Sequence, residues 1–151
     1  MKLAEGLIVR ADLQTKIRQV KNRMGQNAKV QEGDEPGEDV KELVSMYETM
    51  MTELESIILR INRTNSNTPL DGGTLADAIV RRDCMKSKIS AYRELCDNSS
   101  ITQDRYSRSE VKFVRFVNVA ETQKKIDDLS KMYRELDTKM QGLNWTTDLL
   151  D

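Results

Sequence analysis

Residues 40–61 read VKELVSMYETMMTELESIILRI. Val40, Val44, Tyr47, Met51, Leu54, Ile58 and Ile61 step through this stretch by four and three residues in alternation. That spacing lays them along one face of an α-helix, since three to four residues complete a turn. A half-buried strand needs apolar residues at every second position, a pattern this stretch lacks.

The same periodicity recurs on either side. Val119, Ile126, Leu129, Tyr133, Leu136, Met140 and Leu143 repeat it, with Thr122 in the vacant step. Asn118 followed by Glu121 supplies the cap and third-position acid of a helix start. Upstream, Leu3, Leu7, Leu13, Ile17, Val20 and Met24 form a first segment, and Gly25 is a suitable stop. A third begins after Asp71-Gly72-Gly73-Thr74, carries Leu75, Ile79, Met85, Ile89, Tyr92 and Leu95, and ends near Asp97-Asn98. Helices of this size are ~35 Å long, and stripes this narrow are marginal alone. The expectation is a mainly α fold over one domain, 1–151. Its four long amphipathic helices form an up-down bundle or coiled-coil hairpins.

Composition narrows the chemistry. Of 151 residues 32% are charged, 38% are apolar and the net charge is −1, so nothing pulls the whole chain toward nucleic acid or an anionic membrane. Histidine is absent, which excludes Ser-His-Asp and Cys-His catalysis and His-based zinc sites. No phosphate loop, dinucleotide fingerprint or HExxH occurs. No catalytic residue, metal ligand set or cofactor is therefore assigned. Cys84 and Cys96 are ~18 Å apart along one helix, too far to bridge, so reduced intracellular thiols are expected. Met1–Arg10 lacks a signal-peptide apolar stretch, and no run suits a membrane span, so a cytoplasmic location is expected.

Up-down order places the links 26–39 and 97–118 at one end of a bundle. Link 62–73 and both termini lie at the other. Val-Lys-Phe-Val-Arg-Phe-Val, 111–117, is β-branched and aromatic, so a small β-hairpin is expected near 101–118. An exposed edge there would suit pairing between protomers. Residues 26–39 hold five acids against Lys29, whereas residues 103–116 hold four bases against two acids. The two surfaces can pair with each other or face water. Alternatively, Arg105, Ser107, Arg108, Ser109 and Lys112 form an anion site, since all carry phosphate-type donors. Asn62–Pro69 reads as a structured turn, and Trp145 is expected to close a core or an interface.

One polar break interrupts the third stripe. Between Ile79 and Met85 the seam falls on Arg82 or Asp83. A charge at such a position needs a partner, and a buried polar layer of Arg82 and Asp83 would fix register. A snorkelling Arg82 or a small functional site with Arg81 are the other readings.

Five blocks carry a resemblance: Asn27–Gly33 with Glu35-Pro36, Ile61–Ser66, Arg81–Asp83, Arg105–Glu110 and Leu143–Thr147. Together they resemble a bacterial family of proteins of similar length known as septicolysin, over nearly the whole chain. The resemblance brings no established catalytic residue, and its name implies a pore-forming cytolysin. The residues themselves point to a self-associating helical protein acting by binding. A small-anion or metal-dependent enzyme or binder at a bundle end or subunit interface is the second reading, and a pore the third. A homo-oligomer without nucleic-acid or membrane partners is expected, and no ligand is identified.

Overall fold

The computed structural model describes residues 1–101 and 112–151. It is mainly helical: α1 (Leu3–Gln26), α2 (Val40–Asn67), α3 (Leu75–Asn98) and α4 (Val119–Thr146). A two-stranded antiparallel hairpin, β1 (Pro69–Leu70) and β2 (Gly73–Thr74), joins α2 to α3. The chain divides into two compact units, Met1–Ala76 with Gln141–Asp151, and Asp77–Met140.

In the first unit α1 packs on α2. A Cβ built on Gly6 would lie 3.6 Å from Ile57 at one end, while Arg23 pairs with Glu38 at the other. The two helices therefore run antiparallel. Leu3, Gly6, Leu13, Ile17 and Val20 of α1 are buried, with Arg10 half-buried in the same frame. On α2 the buried residues are Leu43, Ile57, Ile61 and Thr64. Tyr47, Met50 and Leu54 are half-buried in register with them.

This is a correction by one residue. The expected stripe ran through Val44, Met51 and Ile58, whereas the seam facing α1 runs through Leu43, Met50 and Ile57. Both frames share Tyr47, Leu54 and Ile61, so the helix carries two apolar edges, and α1 covers only one.

A second correction concerns the connector. Asn62–Asn67 continues α2 instead of turning. Thr64 Oγ1 donates to the Arg60 carbonyl at 2.8 Å, and Asn67 Nδ2 donates to that of Arg63 at 2.8 Å. These side chains bond backward along the helix rather than capping it. The turn comes later, at Asp71 (φ 48°) and Gly72 (φ 79°) between the paired Leu70 and Gly73. Positive φ at both central residues is the geometry for which Asp-Gly is suited. The small hairpin thus lies at 69–74. Of the span 101–118 where one was expected, 102–111 lie outside the described residues, and 112–118 carry no strand.

The C-terminal tail folds back on this unit. Leu3 N–H donates to the Thr147 carbonyl at 3.0 Å, and Leu149 N–H to that of Met1 at 2.9 Å. Leu149 is buried beside Gly6, and Leu150 N–H donates to Thr64 Oγ1 at 3.0 Å. The termini and the end of α2 gather as expected. Trp145, however, is exposed and closes no core.

Two exposed ion pairs pin the segments outside the helices. Asp148 lies 2.7 Å from Lys2, whose ammonium holds its carboxyl below the usual range. The Arg23 guanidinium does the same for Glu38, whose backbone N–H also donates to Asn27 Oδ1 at 3.1 Å. Carboxylates with depressed values stabilise the fold above the ordinary carboxylate range, and that contribution disappears as pH falls through their folded values. Amide protection factors, corrected for the intrinsic pH dependence of exchange, should therefore fall in the tail and in the 37–39 link below about pH 4. Protection factors that stay constant through that range would show that neither pair holds its segment.

In the second unit Ala78 and Ile89 of α3 are buried, as are Ile126, Leu136 and Met140 of α4. The α4 stripe has the expected frame throughout, and Asn118 Oδ1 accepts from Glu121 N–H at 3.1 Å as its cap. Arg115 Nε donates to the Ser99 carbonyl at 3.0 Å, tying the returning chain to the end of α3.

Candidate functional site

The Arg82 break falls in the α3 seam frame that runs through Leu75, Ala78, Met85, Ile89 and Tyr92. Its guanidinium Nη1 reaches Asp137 Oδ1 on α4 at 3.2 Å, and Nε and Nη2 both reach Asp83 Oδ1 at 3.2 Å. Burial disfavours the charged form. The hydrogen bonds to Asp83 and Asp137 outweigh it and hold the guanidinium more firmly protonated. Arg82 and Asp83 do not make a buried layer: the Arg82 side chain is 26% exposed and that of Asp83 60%. Asp137 on the facing helix is the partner the sequence did not name. No period within α3 can report a residue of α4. The arrangement links α3 to α4 and pairs the Arg82 charge on both sides.

The expected anion site falls almost wholly outside the described residues. Arg105, Ser107, Arg108 and Ser109 lie outside the described residues, and Lys112 stands exposed. Among the described residues no group of three Asp, Glu or Cys is placed to hold a metal ion. No helix among them is long and apolar enough to cross a membrane. Cys84 is exposed and Cys96 half-buried, both as free thiols.

What the surface does present is unburied apolar area, in two places. The first follows Lys112. Phe113, Val114 and Phe116 are 76%, 72% and 96% exposed. With Leu95 and Ile101 they border a cleft of about 450 Å³ at the end of α3. The second is the outer edge of α2. Met51, Leu54, Ile58 and Leu59 line a shallow apolar groove there, bordered by Thr52 and Glu55. Its continuation reaches Arg60, Arg63 and Asp151, where Arg60 Nη2 lies 2.9 Å from the Asp151 carboxylate. Isolated apolar side chains are common on protein surfaces, but contiguous patches mark contact sites.

The model of a family of unknown function, DUF6847, matches residues 10–149. The chain belongs to this family. A solved structure is similar over almost its whole length: a functionally unknown conserved protein from Corynebacterium diphtheriae. It is 43% identical, with 99% of this chain and 98% of that chain covered and a TM-score of 0.91. No curated protein matches. Neither description mentions septicolysin, so the resemblance to that family finds no support in these matches. Neither match carries a function to this DUF6847 member.

Proposed function

We propose that the protein acts by assembling with copies of itself, not by catalysis. The observation that carries this reading is the second apolar edge of α2. Met51, Leu54, Ile58 and Leu59 form one groove on a helix whose inner edge α1 already fills. A helix that had only to pack on α1 would need a single narrow seam.

The charge pattern of α2 fits a second copy running antiparallel to it. The first half, 40–53, holds Glu42, Glu48 and Glu53 against Lys41. The second half, 54–67, holds Arg60 and Arg63 against Glu55. A two-fold axis near the groove centre sets the acidic half of one α2 against the basic half of its partner. Such an interface is self-complementary, as a two-fold contact must be. Flanking charges set partner orientation, while the apolar groove supplies most of the affinity.

Assembly linked to folding makes the melting midpoint rise with protein concentration. The wild-type chain should show that rise. Met51→Lys combined with Leu59→Lys should flatten it while leaving the helical circular dichroism signal in place, because both side chains are exposed. A wild-type midpoint independent of concentration would contradict the reading.

A further inference from the structure

We infer that residues 112–116 form a strand pair with the same residues of a second copy, centred on Val114. The inference rests on the assembly reading but not on the α2 groove. Its ground is the juxtaposition of Lys112, Phe113, Val114, Arg115 and Phe116 at the end of α3, with Phe116 almost wholly exposed and Phe113 and Val114 mostly so. Lys-Phe-Val-Arg-Phe has strong strand propensity, yet no strand ladder includes these residues among those described. An unpaired segment of this kind is a template for another chain.

Symmetry, charge and the overlap of all five residues select the register. Two identical antiparallel strands related by a two-fold axis must place one residue opposite its own copy. Centring on Arg115 sets two guanidinium groups face to face, which is destabilising. Centring on Val114 sets valine against valine, Lys112 against Phe116 of the other copy, and Phe113 against Arg115. Each of these last two pairs occurs twice, and each places a cation beside an aromatic ring. No like charges oppose each other.

Phe113 and Phe116 fall on opposite faces of such a ribbon, so each ring is covered mainly by its cross-strand cation, and Val114, with Leu95 and Ile101 bordering the same cleft, adds to the contact. Arg115 Nε, held on the Ser99 carbonyl, fixes the segment at α3 before the partner arrives.

The register can be read by disulfide trapping in a Cys84→Ser, Cys96→Ser background. Val114→Cys should link two copies almost completely under mild oxidation, because directly opposed Cα atoms lie ~4.5–5.5 Å apart, within disulfide reach. Phe116→Cys should not, because its own copy then lies four residues away, about 13 Å. Val114→Arg, at an exposed position, should lower the particle mass without changing the circular dichroism spectrum. A wild-type chain that is monomeric overturns both this inference and the assembly reading. A wild-type assembly in which Val114→Cys fails to link and Val114→Arg keeps the full mass overturns this inference alone.

Discussion

Ile61→Ala is expected to destabilise the first unit by about 2–5 kcal/mol, the usual cost of emptying a buried isoleucine site. Ile61 is 1% exposed. It belongs to the α2 frame that meets α1, whichever of the two apolar edges is counted. The residues around it cannot collapse freely. Thr64, one turn away, is bonded both to the Arg60 carbonyl and to the N–H of Leu150. Alanine is the better helix former, so any loss must come from packing and not from propensity. Val80→Ala on α3 is the control. Val80 is 62% exposed, and its truncation should stay within about 0.5 kcal/mol. Urea unfolding of both variants checks the pair. Equal small effects would contradict burial of Ile61 in the α1–α2 seam.

Gly6→Val should destabilise the first unit by about 1–3 kcal/mol. A Cβ at Gly6 would stand 3.0 Å from Leu149 Cδ2 and 3.6 Å from Ile57 Cδ1. Alanine asks Leu149 for a small shift and gains helix propensity. The branched valine needs space that both the tail and α2 occupy. The expected consequence is local: the tail from Thr147 onward detaches, and the amide protons of Leu149 and Leu150 lose protection while α1 stays helical. Hydrogen exchange resolved by residue checks this. Retained protection at Leu149 would show that the tail is held elsewhere.

Much of the fold was legible because burial in a helix leaves a period. The α4 frame from Val119 to Leu143 could be read residue by residue, and so could its Asn118 cap. The α2 stripe was read one residue out of frame. Leu43, Met50 and Ile57 differ from Val44, Met51 and Ile58 only in which neighbour covers them, and α2 is apolar on both edges. Periodicity reports that a face is greasy but not which helix meets it. The overrun of α2 to Asn67 was hidden because Thr and Asn serve both as turn formers and as backward-bonding helix residues. Asp71-Gly72 carried an available signal for a two-residue hairpin, but Leu70 and Thr74 flank it with too little strand to register. Gly6 likewise gives no sign of its role until Leu149 is brought beside it from the far end of the chain.

The candidate surfaces were half legible. The aromatic run at 111–117 stood out for its strand-like residues. That the same run lies open at Phe113 and Phe116 required the structure. The ion pair across α3 and α4 required it too, because Asp137 is one of many acids on a charged helix.

Sedimentation equilibrium of the intact chain over a range of micromolar concentrations addresses the assembly claim most directly. A particle mass of two chains or more, falling toward one on dilution, is the predicted result. A single-chain mass at every concentration would contradict it.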